Sequence, residues 1–465
     1  MAPSRQLRET FPVGLVFTIA IVRKGIIRSD SLAETADNIE VPMIGDRLTR
    51  DLYSELCKIV LIDPHSHINP LSAPSKTLDD ILGYHYYTEL SHSAGMDKAP
   101  LGPEVGPRER VEALLNWLPQ IDNTAQYSWF LEIARSFLGF TGDRITGGDA
   151  EVLWSTAEKQ FGQPDWEKQV LKKTNVEMIF LTNDFDDPLE GFDTKVYVPC
   201  LRTDDLVFHL DKPAVRERFL KATGEVPASA WQVRSGITKL FDHFTAKGAK
   251  ACAISLPPDF SPAPVGDDDL TLALERVIGG DAEAKPTVAR GVFWMLADHC
   301  AQYKLPFDLM IGVNRRVYEN GVFQGQDLFD QRTSLLQYAA LFNAFPKVKF
   351  PISVLTSAQN QELVSYSWIF PNVITSGHWW YSNIPTFIER DTLARLQAVP
   401  KTKQIGYYSD AYKLEFILPK FDMYRRLLAG MLAEHFVRPG TYTETQAVAL
   451  GRLLLRENSQ AIFGV

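Results

Sequence analysis

The sequence predicts an α/β protein built on a (β/α)8 barrel of the TIM type. Eight runs of β-branched and apolar residues have the length of strands, and amphipathic segments with helical spacing lie between them. Most of the runs are apolar throughout, which is typical of parallel strands covered on both faces. Strand alternating with helix eight times favours a closed barrel over a doubly wound open sheet, since the open sheet does not require eight strands.

The predicted strands come in a regular order with one long interval. In chain order they are KIVLID, EMIFLTN, KVYVPCL, ACAISL, FDLMIG, KFPISVL, NVITSG and QIGYYSD. The first ends at Asp63 and the second begins at Glu177, and the interval contains QYSWFLEIARSFLGF and AEVLWSTAEKQFG, each with an apolar stripe. We therefore expect a helical insertion at about 70–172 that rests on the barrel mouth. The stretch PPDFSPAPVGDDDL after the fourth strand predicts a loop.

The domain prediction is a barrel over residues 46–465, preceded by an extension over residues 1–45. The extension contains FPVGLVFTIAIV, which has basic residues on both sides and resembles the core of a signal peptide. It is shorter than the ~20 residues of a membrane-spanning helix, and no small-x-small cleavage site follows it directly. We expect it to pack on the domain or to stay loose, with export as the alternative.

Composition excludes several classes of protein. Hydrophobic residues make up 45% of the chain and charged residues 23%, which predicts an ordered globular protein. A formal charge of −9 argues against a nucleic-acid partner. The four cysteines form no Cys-x-x-Cys pair, so neither a thiolate zinc site nor a redox motif is indicated. We expect a cytoplasmic protein with reduced thiols and without a nucleic-acid or membrane partner.

Two histidines one residue apart follow the first predicted strand in LIDPHSHINP. Alternate residues of a strand face the same way, so His65 and His67 should converge at the barrel mouth, where active sites of such barrels lie. Neutral imidazoles are good ligands for a divalent transition metal. Asp410 ends the eighth predicted strand, which adjoins the first in a closed barrel, and can complete the site. The alternative is that the histidines only bond loop carbonyls. His85 and His92, in the insertion, are expected to be structural or exposed.

With these residues in place, the sequence resembles the amidohydrolase superfamily and, within it, the uronate (glucuronate) isomerase family. The resemblance runs from about Leu52 to the C-terminus and depends on the order and spacing of its motifs. These are DPHSHI, GYHYYTELSHSAGM, WFLEIARSFLGF, LTNDFDDP, VPCLRTDD, LMIGVNR, SGHWWYS, GYYSD followed by FDMYRR, and ENSQAIFG. The resemblance implies aldose-ketose isomerisation of a hexuronic acid such as D-glucuronate or D-galacturonate, one zinc-like divalent ion, and a homo-oligomer.

The resemblance also implies roles for particular residues. His65 and His67 would hold the ion, Asp410 would be both ligand and base, and Tyr86 would approach the substrate. The implied substrate-binding set is Arg202, Arg315, Trp379, Trp380, Tyr412 and Lys413. An arginine can grip a substrate carboxylate with two parallel hydrogen bonds, and a tryptophan ring can wall a sugar pocket. Salt bridging for the arginines and plain core packing for the tryptophans are the alternatives.

Three departures from the family pattern leave the reaction open. The family's histidine on strand five is replaced by Met310, and its Ser-Asp-His on strand four is replaced by AISLPPDF. After Asp410 the family shows Ser-Arg-Ser, whereas this chain has Ala411, Tyr412 and Lys413. Either Lys413 substitutes for the missing arginine or the substrate differs. The alternatives to a divergent isomerase are a metal-dependent hydrolase or lyase acting on another sugar acid or lactone, and a non-catalytic paralogue.

Overall fold

Eight parallel strands follow one another through the computed structural model, which describes residues 45–323 and 325–465. Each predicted run overlaps one of them, so the prediction of eight strands is confirmed. Strands one to eight are Leu61–Asp63, Val176–Phe180, Tyr197–Val198 with Cys200–Arg202, Ala251–Leu256, Phe307–Ile311, Phe350–Val354, Val373–Ser376 and Gln404–Ile405.

Strands one to eight pair in sequence order, each with the next. Strand three is interrupted at Pro199, which has no N–H to donate, so its first half pairs with strand two and its second half with strand four. Among the described residues no ladder joins strand eight to strand one. The segments that follow them are joined instead by backbone hydrogen bonds, from Asp410 N to the His65 carbonyl (3.1 Å) and from His67 N to the Ala411 carbonyl (2.8 Å).

Helices lie in every interval between the strands except that between strands two and three, and six of them lie between strands one and two. Those six are Asp79–Leu82, His85–Ser93, Pro107–Trp117, Ala125–Leu138, Ala150–Phe161 and Trp166–Thr174. The others are Arg47–Cys57, Asp204–Phe208, Pro213–Thr223, Ala230–Ala246, Asp267–Ile278, Lys285–Tyr303, Ala339–Ala344, Ser357–Ile369, Pro385–Ala398, Ile417–Leu432, Glu444–Arg452 and Asn458–Phe463. The loop predicted after strand four ends earlier than expected, because the acidic run from Asp267 forms the first turn of a helix, where carboxylates are favourable.

Alternating side chains along the strands build the interior in layers. One buried cluster contains residues from six strands and two from the C-terminal helix: Ile62, Phe180, Val198, Cys200, Ala251, Ala253, Ile374, Ile405, Ile462 and Phe463. Each large side chain in such a cluster contributes about 1.5–3 kcal/mol by leaving water. Thr182 and Ser255 line a cavity at the carboxyl ends of the strands. Each lies two positions after a residue of this cluster, Phe180 or Ala253, and therefore faces the same side. The apolar layer therefore forms the floor of that cavity.

A buried carboxylate ties the helices between strands one and two to the end of the barrel. Glu415 accepts hydrogen bonds from the Ser75 amide (2.9 Å), the Ser75 hydroxyl (3.0 Å) and the Trp166 indole N–H (2.8 Å). Residues 45–465 form one compact unit, and the predicted extension falls outside the described residues except for Gly45. Across the described ranges, no helix is both long and apolar enough to cross a membrane.

Candidate active site

Two imidazoles and one carboxylate converge where strand one meets strand eight. His65 Nε2 lies 3.5 Å from Asp410 Oδ1, and His67 Nε2 lies 3.4 Å from the same oxygen. One donor atom from each of the three residues lies within 4.8 Å of the other two. His65 and Asp410 are buried, and His67 is partly buried. The structure thus brings together the three residues predicted as ligands.

The hydrogen bonds of His67 leave its Nε2 free for a ligand. Its Nδ1 lies 2.9 Å from the Thr182 hydroxyl, and that hydroxyl donates its one proton to the Ser66 carbonyl (3.1 Å). Thr182 must therefore accept from His67 Nδ1–H, so the lone pair of the neutral ring is on Nε2. This is the tautomer in which Nε2 can bind a metal.

His65 lies between two buried carboxylates. Its Nδ1 is 3.7 Å from Asp308 Oδ2, on the side of the ring opposite Asp410. Burial lowers the pKa of His65, but the nearby carboxylates of Asp308 and Asp410 outweigh it and raise the pKa to about 9. Burial also raises the pKa of Asp410, whereas the two histidines lower it well below its usual value. The two carboxylates thus favour a positive charge on His65, and the two histidines favour an ionised Asp410.

Asp410 has an unusual backbone conformation. Its φ of 51° lies in the left-handed region, which costs a residue other than glycine free energy and persists only when its surroundings enforce it. Its amide donates to the His65 carbonyl, and its own carbonyl accepts from the Tyr84 hydroxyl (3.0 Å). These contacts fix the direction in which the carboxylate points.

The three donors fit a divalent metal ion. Zinc bound tetrahedrally at about 2.0–2.1 Å separates its ligand atoms by ~3.3 Å, close to the distances from Asp410 Oδ1 to the two Nε2 atoms. His65 Nε2 and Asp410 Oδ1 are buried without a hydrogen-bond partner, and buried polar atoms without partners are rare unless something else binds them. Two imidazoles and a carboxylate are also suitable donors for a borderline ion.

A cavity of about 230 Å³ opens onto the three donors and collects most of the predicted site residues. Lining it are His65, His67, Tyr86, Arg202, Arg315, Trp379, Trp380, Asp410 and Tyr412. Lys413, expected at the substrate, is not among the lining residues. Its ammonium bonds the Ser72 carbonyl (3.0 Å) and lies 3.4 Å from Asp80, so it does not replace the family's arginine at the cavity wall.

The two arginines that line the cavity are held differently. Arg202 donates through Nε to Asp204 (3.2 Å), and its other guanidinium N–H groups have no partner among the described residues. Arg315 is bound on one side by Asp327 (2.6 Å) and on the other by the Ser255 hydroxyl (3.2 Å). Arg202 therefore has the freer donors for an anionic group in the cavity.

Sequence reasoning missed two side chains at this site. His85, expected to be structural or exposed, lines the cavity, and its Nδ1 is buried without a partner. Burial lowers its pKa to about 3, so its ring is neutral at pH 7. Asp308 was hidden in the apolar run FDLMIG. Its position was the available signal. Residues i and i+2 of a strand face the same side, so Asp308 faces the same side as Met310, the residue at the position of the expected histidine.

Comparisons with known proteins agree with this architecture. No family model matches the chain. The uronate isomerase of Thermotoga maritima is 23% identical over 455 residues, which cover 90% of this chain and 98% of that protein. The crystal structure of a uronate isomerase from the same organism superposes with a TM-score of 0.84 at 19% identity, covering 92% of this chain and 100% of that one. This chain is a homologue of the uronate isomerases.

Two further comparisons give the extent of that relationship. The uronate isomerase of Serratia proteamaculans is 25% identical over 229 residues, 45% of this chain and less than half (48%) of that protein. A glucuronate isomerase from Caulobacter crescentus superposes with a TM-score of 0.81 at 17% identity, covering 90% of this chain and 94% of that one. The predicted barrel class and the predicted resemblance are both confirmed, and this homologue is a distant one.

Proposed function

We propose that this homologue catalyses the reversible, metal-dependent aldose-ketose isomerisation of a hexuronic acid of the D-glucuronate or D-galacturonate type. One observation carries the proposal: a three-donor cation site and two guanidinium groups face the same cavity. A sugar acid has a group for each: its oxygen-rich reacting end suits the cation, and its carboxylate suits the guanidinium groups. The names of the relatives, which match along most of the chain, point to the same substrate class.

In this proposal the ion is zinc, held by His65, His67 and Asp410. When bound, it would act as a Lewis acid on the carbonyl and hydroxyl oxygens of the sugar. Asp410 Oδ1 faces the two histidines, whereas Oδ2 has no hydrogen-bond partner among the described residues. Oδ2 is thus free to accept a proton from the substrate and return it to the neighbouring carbon.

The remaining residues position the substrate. Burial raises the pKa of Tyr86 well above its usual value, so its hydroxyl stays protonated and can donate to a sugar oxygen. The neutral ring of His85 can bond a second hydroxyl through its free Nδ1. Arg202 would bind the substrate carboxylate, with Arg315 as the weaker partner. Trp379 and Trp380 would pack on the C–H face of the sugar.

The test is a direct assay. The purified chain, loaded with Zn²⁺ after chelation, is incubated with D-glucuronate or D-galacturonate, and NMR follows the conversion of aldose to ketose. We expect turnover that Asp410→Asn lowers by about 10²–10⁴-fold, because a base acting in the transition state contributes that much. Hydrolysis of lactones or amides without isomerisation would favour a hydrolase or lyase. Bound metal without turnover on any of these substrates would favour a non-catalytic paralogue.

We also propose a cytoplasmic homo-oligomer. The four cysteines are free, as expected in a reducing compartment. Light scattering of the purified chain would give the number of subunits.

A further inference from the structure

A buried ammonium lies behind the candidate metal site. Lys420, on the helix Ile417–Leu432, is 0% exposed. Its Nζ donates to the Ser409 carbonyl (2.7 Å) and, more weakly, to the Tyr84 hydroxyl (3.4 Å). No carboxylate of the described chain lies within salt-bridge distance of it. Burial lowers its pKa to about 8, while the more distant Asp410 and Asp63 act in the opposite direction.

Aromatic rings enclose this ammonium. Nζ lies 4.8 Å from the ring centre of Trp129, 5.2 Å from Tyr84, 5.6 Å from Tyr86 and 5.9 Å from Phe416. A cation within about 6 Å of a ring face is attracted to it, most strongly where water is excluded. Tyr86 and Trp129 lie on helices between strands one and two, and Tyr84 immediately precedes the helix His85–Ser93, so Lys420 joins this helical region to the end of the barrel.

The ammonium holds the residue before Asp410. The Ser409 amide and hydroxyl both donate to Asp63, and the Ser409 carbonyl accepts from Lys420. The following residue, Asp410, has the left-handed φ of 51°, and its carbonyl is bound by the Tyr84 hydroxyl. Lys420 and Tyr84 therefore bind the two peptide units on either side of Asp410, and Asp63 holds the preceding residue, Ser409.

Packing alone does not explain a lysine at this place. A buried charge without a paired carboxylate is costly, and an apolar side chain of similar length would fill an aromatic enclosure at a lower desolvation cost. What only a cationic donor supplies is a fixed hydrogen bond to the Ser409 carbonyl, together with positive charge near a carboxylate that must stay ionised to bind a metal.

We propose that Lys420 is a positioning residue for Asp410, which holds the Ser409–Asp410 segment so that the carboxylate points at His65 and His67. This inference rests on the metal site of the proposed function and not on the isomerisation itself. Its readout is therefore metal binding.

The experiment titrates the metal-free chain with Co²⁺ and records the visible absorption of the bound ion. In Lys420→Met we expect Co²⁺ affinity to fall about 10- to 100-fold, the usual effect of removing a group that orients a ligand. The thermal midpoint of the metal-free variant should stay the same or rise, because the buried charge is gone. Lys420→Arg, which keeps the charge and the donor, should restore part of the affinity.

Lys403→Met is the matched control. The Lys403 ammonium also donates to backbone carbonyls, those of Ser367 and Phe370, and burial lowers its pKa to about 8 as well. Lys403 precedes strand eight, at the end of the barrel away from Asp410. This variant should keep its Co²⁺ affinity and lose thermal stability.

Several outcomes overturn the inference. Unchanged Co²⁺ affinity in folded Lys420→Met rejects it, and so does a loss of thermal stability without a loss of affinity. If Lys420→Met does not fold, Tyr84→Phe removes the hydrogen bond to the Asp410 carbonyl, and unchanged affinity there would show that holding this segment does not govern metal binding, which also rejects the inference. The two proposals can also fail separately. If the chain binds Co²⁺ and Lys420→Met weakens that binding, but the parent chain does not isomerise uronates, the role of Lys420 is supported and the proposed isomerase is rejected.

Discussion

The two halves of the cavity wall differ in how far they follow the family pattern. The half from strands one and eight contributes His65, His67 and Asp410, and each donor is oriented by a second group. The half from strands four and five contributes Ser255, Met310 and Arg315. There, the Met310 thioether stands where the resemblance predicts a histidine, and the guanidinium is already bound by Asp327.

The difference separates two requirements of the site. Holding a cation needs three convergent donors, and the strand-one and strand-eight half supplies all of them. In the proposed function, recognition of a particular sugar acid depends on the opposite wall, where the sequence departs from the pattern that the resemblance predicts.

Removing the histidine pair should abolish metal binding. In His65→Ala/His67→Ala only Asp410 remains as a ligand, so we expect bound metal to fall below about a tenth of an equivalent and turnover to fall by about 10³-fold or more. Elemental analysis and the NMR assay measure the two losses. His435→Ala, at an exposed position, is the control. A double variant that keeps one metal ion per chain contradicts the ligand assignment.

The two arginines that line the cavity should contribute unequally to binding of the substrate carboxylate. Arg202→Met should raise KM for D-glucuronate about 10- to 100-fold, because its free N–H groups are available for a charged hydrogen bond. Arg315→Met should raise it only about two- to fivefold, because Arg315 is half exposed and already paired. Initial rates across substrate concentrations measure both. A neutral aldose is the control substrate, and an equal loss on it would show that neither arginine recognises the carboxylate.

Asp308 should affect metal binding although it lies on strand five. Asp308→Asn removes the charge that faces His65 Nδ1, so we expect about tenfold weaker Co²⁺ binding. Met310→Leu, on the same strand, should leave binding unchanged because a thioether is not a ligand for such an ion. If both variants bind Co²⁺ like the parent, Asp308 does not orient His65.

The smallest effect is a pH dependence at the strand-five side. Burial, and then the charge of Asp327, raise the pKa of Glu89 from 4.5 to about 8. Between these values the folded chain keeps a proton that the unfolded chain releases, so this group's contribution to stability is full below pH 4.5 and is lost as the pH rises through 8. The side chain of Glu89→Gln cannot ionise, so the variant should not lose this stability as the pH rises.

Urea unfolding at pH 5 and pH 8.5 measures this difference. The variant should match the parent at the lower pH and exceed it by about 1–3 kcal/mol at the higher, the usual cost of an unsatisfied buried charge. Equal stabilities at pH 8.5 would show that Glu89 is solvated in the folded state.

The sequence predicted the positions of side chains that directly follow a strand, because strand periodicity fixes the side to which they point. His65 and His67 follow a strand at alternate positions, and Asp410 follows the neighbouring strand, so their convergence could be predicted from strand periodicity. Lys413 could not be placed in this way, because the direction of a side chain beyond a strand depends on the local backbone. The left-handed φ of Asp410 redirects the residues that follow it, and Tyr412, not Lys413, faces the cavity.

His85 and Lys420 needed the tertiary structure. Both lie on helices, and nothing in their local sequence shows that these helices meet at the barrel mouth. The burial of the unpartnered His85 Nδ1 and of the ring-enclosed Lys420 ammonium arises only when the helices between strands one and two pack on the end of the barrel.

The groups that hold Asp410 come from opposite ends of the chain. Tyr84 is 326 residues from Asp410 and 336 from Lys420, and Asp63 is 346 from Ser409. A ribosome-bound chain that lacks its last fifth would carry both histidines, Asp63 and Tyr84, but neither Asp410 nor Lys420. At the proposed site, metal binding by all three donors must therefore await synthesis of the segment that contains Asp410 and Lys420, and metal content would report on that step in a cell extract.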